Sequence, residues 1–212
     1  MGKAVVLSIR PKWCEKIARG EKTIEVRKTR PKLETPFKCY IYCTLGKHLA
    51  FMQSHAGTNL IACMDVTAAI PVGGAIGNGK VIGEFTCDRI YELAPLNHAP
   101  DDVEQQACLT REEIVWYLKG VGYGWHILDL KIYDNPQELS KFRVEDKPAI
   151  KACKHRFRAG QPEYVARHGG WLQGGWGCMK NGEPEWCENC LTKPLTRPPQ
   201  SWCYVEAMKD GN

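Results

Sequence analysis

The sequence predicts an α+β protein: many short strands, a few short helices, and a loop-rich, cysteine-containing insertion. Three observations predict it. Apolar runs of strand length, separated by Gly- and Pro-marked turns, recur from Val5 to Tyr133 and return at Trp202. Helical punctuation is confined to two short stretches, one between Pro11 and Gly20 and one between Thr110 and Gly120. From Gln137 the composition changes: Pro, Gly and Trp become frequent and hydrophobic periodicity fades. The 212 residues therefore divide into a domain over 1–136 plus 198–208 and an appendage over 137–197.

In order, Val5, Val6, Leu7 and Ile9 make an apolar run long enough for a buried strand. Pro11 follows at a helix N1 position, where its missing N–H is no loss. Trp13, Cys14, Ile17 and Ala18 share one helical face, with Lys12, Glu15, Lys16 and Arg19 on the other. Glu15 and Arg19 are spaced for an i,i+4 ion pair, and Gly20 ends the helix. In Thr23 to Arg27 a period of two puts Ile24 and Val26 on one face and Thr23, Glu25 and Arg27 on the other.

Phe37 to Thr44 alternates as a strand, residues 45–58 read as a loop, and Asn59–Val66 and Lys80–Leu93 read as strands. The run from Gly74 to Lys80 has the spacing of a phosphate loop, but Val81 stands where Ser or Thr is required and a strand follows, so no nucleotide loop is expected. After a polar segment, Thr110 and Glu113 form a capping box for a helix carrying Ile114, Tyr117 and Leu118. Ile127–Tyr133 is a strand stopped by Asp134-Asn135-Pro136, and Trp202–Ala207 is a last strand returning to the domain.

The net charge of +5 is unevenly spread: residues 1–38 hold eleven Lys and Arg against four Asp and Glu, a local excess that suits phosphates. No apolar run reaches membrane-spanning length and no signal-peptide core opens the chain, so a soluble, cytoplasmic protein without membrane contact is expected. On that expectation the eleven cysteines are thiols, buried small hydrophobes or metal ligands. Cys39, Cys43, Cys63 and Cys87 lie in apolar runs and read as core.

Two constellations carry chemistry. Lys22, Glu25, Arg27 and Lys28, backed by Arg10, Lys12 and Trp13, combine cations with one carboxylate on a strand otherwise committed to a core. A solvated, salt-bridged face fits the same pattern. Trp13, Tyr123, Trp125 and His126 supply stacking surface of the kind used on unpaired bases; Trp13, near a helix start, reads as core by burial preference, and Trp125 is the better platform because the glycines permit close approach. Separately, Cys153, Cys178, Cys187 and Cys190, with His155 as an alternative ligand, fit a tetrahedral structural Zn2+ site. Reduced thiols are the competing reading.

The segment Gly20 to Arg27, preceded by a short helix and an apolar strand, resembles the G-x-K-x-x-E-x-R signature of the ASCH family, a branch of the PUA-like β-barrels. The resemblance covers roughly residues 4–135 and 202–207. It implies a twisted barrel with a cleft at one side and a tie to RNA or modified nucleosides. Some similar proteins hydrolyse N4-acetylcytidine with the motif lysine, a threonine three residues later and a distant glutamate. Lys22 matches that lysine, Glu25 stands where the threonine would be, and the distant carboxylate falls near Glu104 or Glu112.

The expected function is binding of RNA or a modified nucleoside in a basic cleft formed by Arg10, Lys12, Lys22, Glu25, Arg27, Lys28, Trp125 and His126. Lys22 and Arg27 would meet phosphate or a base edge, and their joint replacement by alanine would spare the fold. Because Glu25 favours the ammonium form of Lys22, a binding pair is expected rather than an activated amine. The alternatives are an amidohydrolase of acylated nucleosides or an RNA nuclease, with Lys22 and Glu25 as catalytic residues, and a transcription-related interaction module.

Overall fold

Strand β1 (Lys3–Ile9) is the hub of the architecture. It pairs in parallel with β3 (Phe37–Cys43) on one side and antiparallel with β16 (Trp202–Glu206) on the other. Ala4–Ile9 is buried, and Ala4–Leu7 is accordingly a continuous apolar run rather than an alternating one. The computed structural model describes residues 3–46, 49–54, 61–65, 74–93, 99–146, 156–158, 176–180, 183–185 and 192–208. By internal contacts the chain forms two units, Met1–Phe142 with Thr196–Asn212, and Arg143–Leu195.

In the first unit, β7 (Lys80–Cys87) and β10 (Leu128–Glu138) extend the β1 sheet to the order β10-β7-β3-β1-β16. A second sheet has the order β2-β9-β8, from Ile24–Arg27, Tyr123–His126 and Ile90–Glu92. The two sheets are continuous in the chain. β7 passes into β8 across Asp88-Arg89, and β9 passes into β10 across Ile127, so one hairpin bends sharply and belongs to both. At the bend the His126 N–H donates to the Arg89 carbonyl at 2.9 Å and the Ile127 N–H to the Thr23 carbonyl at 2.8 Å. Among the described residues the sheets do not close into one hydrogen-bonded ring. A third sheet, β5-β4-β6, comes from Ile61–Asp65, Leu49–Ser54 and Gly74–Ile76.

Two apolar clusters fix this arrangement. Val5, Leu7 and Ile9 from β1, Cys39, Ile41 and Cys43 from β3, Ile82 and Phe85 from β7, Cys14 and Ile17 from helix α1 (Pro11–Ala18), and Trp125 form the larger. The smaller joins Ile24 and Val26 of β2 to Val103 and Ala107 of α2 (Val103–Ala107) and Ile114 and Leu118 of α3 (Arg111–Leu118). Helix α3 has the expected capping box: the Thr110 hydroxyl accepts from the Glu113 N–H at 3.2 Å, and the Thr110 N–H donates to the Glu113 carboxylate at 2.8 Å. Helix α1 ends as the glycine foretells. Gly20 has φ +73°, its N–H donates to the Ile17 carbonyl and the next N–H, of Glu21, reaches back to Lys16, both at 2.9 Å. The Arg19–Glu15 pair closes at 2.7 Å.

Four sequence expectations give way. Residues 49–54, expected in a loop, form β4; pairing with strands on both sides overrides a weak local pattern. The polar stretch before Thr110 contains α2, too short for periodicity to show. Lys80–Leu93 is two strands because of the bend. β10 does not stop at Asp134; a register shift between Ile132 and Gln137 takes Asn135 and Pro136 out of the ladder, and pairing resumes at Gln137 with Val81.

In the second unit, β11 (Arg143–Glu145) pairs with β15 (Thr192–Pro194), and β12 (Arg156–Arg158), β13 (Trp176–Lys180) and β14 (Glu183–Glu185) form a three-stranded sheet. The Arg143 guanidinium donates to the hydroxyl and the carbonyl of Thr192, each at 2.8 Å.

Candidate functional site

The Schellman turn after α1 delivers Lys22 directly into the start of β2. Because β2 alternates, Ile24 and Val26 enter the smaller apolar cluster while Glu25 and Arg27 face the other way. That second face is covered too. Lys22, Glu25 and Arg27 are only 2 %, 7 % and 6 % exposed, so the solvated-face reading is wrong.

The three groups form a chain. Glu25 accepts from Arg27 at 3.0 Å through one carboxylate oxygen, and its other oxygen lies 3.5 Å from the Lys22 ammonium. Lys22 also donates to the Ala107 carbonyl at 2.7 Å, at the C-terminal end of α2, where the helix dipole favours a cation. Arg27 donates to the Ser8 carbonyl at 2.8 Å and to the Ser201 hydroxyl at 3.4 Å, tying β2 to β1 and to the segment before β16. The Arg27 Nε has no partner and is shielded from solvent. Two cations thus sit against one carboxylate in a nearly dry setting. A chain of this kind is weak evidence of stabilisation, since removing charges from water costs several kcal/mol per ion.

Burial lowers the Lys22 pKa below the ordinary lysine value, and the Glu25 carboxylate offsets this only in part. The sequence-based expectation that Glu25 would dominate is corrected here: desolvation is the larger effect for a lysine this deeply enclosed.

The chain of charges forms the floor of a cavity of about 930 Å³. The cavity is lined by Ser8, Ile9, Arg10, Lys12 and Trp13 from β1 and the start of α1, and by Leu109, Glu112, Glu113, Trp116 and Tyr117 from α3 and its approach. Tyr42, Thr44 and Leu45 with Pro198, Pro199 and Gln200 complete it. The Pro199 carbonyl accepts from the Ser8 hydroxyl at 2.6 Å, which fixes the proline segment against β1. Arg10 and Lys12 are exposed. The Lys12 and Lys22 ammonium groups lie 4.2 and 5.2 Å from the centre of the Trp13 ring.

Of the residues singled out in the sequence, the fold brings Arg10, Lys12, Trp13, Lys22, Glu25, Arg27 and Glu112 to this cavity. Lys28, Glu104, Trp125 and His126 are not part of its lining. Trp125, expected to stack on a base, is fully buried between Phe37 and Trp202, with both ring centroids at 5.9 Å; it pairs across the sheet from Glu25 and serves as core. Trp13, which burial preference would assign to the core, takes the cavity wall instead. His126 is half-buried with Nδ1 2.6 Å from the Asp88 carboxylate, away from the cavity lining. Lys28 is exposed and sits 5.4 Å from the Tyr117 ring centre. Of the two carboxylates considered with Lys22, Glu112 lines the cavity, while Glu104 pairs with Arg111 at 3.0 Å.

Sequence reasoning missed Trp116. Its signal was present, since it falls off the Ile114–Leu118 stripe that buries α3, leaving a large aromatic side chain 75 % exposed. Ser8 and Pro198–Gln200 gave no local signal, because only the long-range pairing of β1 with β16 brings them to the cavity.

The zinc expectation rests on Cys153, His155, Cys187 and Cys190, which lie outside the described residues, and on Cys178, which occupies β13. Among the described residues no group of three potential ligands converges. No described helix is long and apolar enough to cross a membrane.

No family model and no curated protein matches this sequence. Solved structures do. The chain is similar to ASCH from Zymomonas mobilis at 18 % identity and TM-score 0.41, over 64 % of this chain and 73 % of that one. It is similar to a tyrosine-to-phenylalanine variant of the same protein at 16 % identity and TM-score 0.42, over 84 % and 91 % of the two chains. A serine-to-alanine variant gives 15 % identity and TM-score 0.42, over 84 % and 89 %. The chain is thus similar, at low identity, to solved structures that carry the family name its Gly20–Arg27 segment resembles.

Proposed function

We propose that this chain binds RNA or a modified nucleoside in the cavity above Lys22, Glu25 and Arg27. The observation that carries the reading is the buried charged floor beneath an open, cation-lipped cavity. Charges kept out of water at a cost to stability are explained by a ligand that needs them. A base edge reaching the floor meets a donor in Lys22 and an acceptor in Glu25, while Arg10 and Lys12 at the lip face a phosphate. Trp13 takes the stacking role first assigned to Trp125. Arg27 positions Glu25 rather than contacting phosphate, because its terminal nitrogens already serve Glu25, Ser8 and Ser201 and its Nε is shielded from solvent. The cavity volume is within the range of small-ligand sites and exceeds what one nucleoside fills.

Titrating cytidine and N4-acetylcytidine monophosphates by calorimetry tests the reading. Wild type is expected to bind, with affinity falling as salt rises. An Arg10→Gln, Lys12→Gln variant is expected to bind at least several-fold more weakly. Binding unchanged in that variant and in Lys22→Met would remove the cavity from consideration.

One observation favours a second reading, hydrolysis of an acylated nucleoside or of RNA. Burial leaves more of Lys22 as the neutral amine at a given pH than an ordinary lysine, which makes it available to accept a proton or attack, and Glu112 lines the same cavity. Incubation with N4-acetylcytidine separates the two. Release of cytidine that is lost in Lys22→Met establishes the enzyme; none at high protein concentration retires that substrate.

A further inference from the structure

Three aromatic side chains line the cavity. Trp116 lines the cavity yet is 75 % exposed, with the Lys119 ammonium 5.8 Å from its ring centre. Tyr117 beside it lines the cavity under the Lys28 ammonium, at 5.4 Å. Trp13, which also lines the cavity, has the Lys12 ammonium 4.2 Å from its ring centre. Each of these three aromatic side chains is therefore paired with a cation, and Trp116 and Tyr117 belong to a helix face the core does not use: Ile114 and Leu118 are the buried residues of α3.

We infer that the site takes one base within a single-stranded polynucleotide rather than a free nucleoside, and that Trp116 is the platform for the neighbouring base. This rests on the proposed function of the cavity and adds its substrate class. A free nucleoside gains nothing from a ring that stands largely in solvent beyond the floor. A strand does: with one base seated above Lys22 and Glu25, the next base leaves the cavity at its lip and finds a flat aromatic face there. Its phosphates pass Lys28 and Lys119, which explains why Lys28 is part of the basic segment without reaching the cavity. Stacking of this kind tolerates any base, so the rim sets affinity for a strand while the floor sets which base enters. Charge complementarity favours a polyanion over an apolar protein segment, because each exposed aromatic ring here carries its own cation.

The test compares a labelled ten-nucleotide RNA, its DNA counterpart and a nucleoside 5′-monophosphate on the full chain. Three proteins are used: wild type, Trp116→Ala and Trp116→Tyr. The strand is expected to bind wild type at least about tenfold tighter than the monophosphate, from one additional stacked base. Trp116→Ala is expected to lose about that factor for the strand and much less for the monophosphate, so that the strand advantage disappears, and Trp116→Tyr to retain most of it. Preference between the RNA and DNA strands identifies which polymer the cavity serves. The inference is overturned if strand and monophosphate bind equally, or if Trp116→Ala leaves strand affinity intact. Self-association that depends on Trp116 and that the strand does not displace overturns it too. If the monophosphate also fails to bind, the cavity reading itself falls, a result distinct from loss of the strand advantage alone.

Discussion

Lys22 has three partners of different kind, a carboxylate, a helix-terminal carbonyl and an indole face, and each was set by a different part of the chain. The period of two in Thr23–Arg27 made it legible that Glu25 and Arg27 share a face. That the face would be covered was not legible, because Ala107 and Ser201, which close it, lie far away in sequence. The expectation that alanine at both Lys22 and Arg27 would spare the fold fails for the same reason. Removing one member of a buried charged set strands the rest. Glu25→Gln, which leaves two cations without their carboxylate, is expected to cost about 3–5 kcal/mol in urea unfolding. Lys22→Met is expected to cost clearly less, since Glu25 keeps Arg27; equal losses would contradict the chain of pairing described. The pH dependence has a definite sign. The folded Lys22 pKa lies below that of the unfolded chain, so between the two values the unfolded state holds more protons and stability rises with pH. As pH climbs toward 10.5, the unfolding free energy of wild type is expected to gain on that of Lys22→Met. A constant or opposite difference in paired alkaline denaturation series would show that Lys22 is not held in a desolvated site.

Among the elements, helix ends were the most readable features, because caps are short-range chemistry. Thr110→Ala is expected to destabilise the protein by about 1 kcal/mol, measured as a shift in denaturation midpoint. Strand ends were less readable, since partners rather than local sequence decide where pairing stops. Gly83 shows why. A Cβ there would lie 2.5 Å from the Lys131 carbonyl and 3.0 Å from Ile132, so β7 and β10 approach too closely for any side chain. Gly83→Ala is expected to force the strands apart and lower stability by more than Thr110→Ala does. A melting temperature within a degree of wild type would show that the sheet yields at no cost.

At the scale of the whole molecule, composition indicated where the basic charge lies. What composition could not give was the cavity, which is a product of β1, α3 and the 198–200 segment together. Titration of RNA against increasing salt is expected to give a log–log slope of a few units, matching the few lip and rim cations available. A flat slope would mean that phosphates are not contacted. Of the two readings of the cysteine-containing segment, elemental analysis of protein purified without chelator decides: one Zn2+ per chain, lost in Cys187→Ser, Cys190→Ser, supports the metal site, and no metal with unchanged melting in that variant leaves reduced thiols.

β16 has a consequence for synthesis. During translation β1 emerges before both of its partners, and its β3 edge can be satisfied as soon as Phe37–Cys43 leaves the ribosome. Its other edge waits for Trp202–Glu206, nearly two hundred residues later. Until then the nascent chain carries a bare apolar strand of the kind chaperones hold. A premature stop before Ser201 would leave that edge open for good and release Arg27 from the hydroxyl it holds, so such a truncated product should aggregate rather than merely bind weakly.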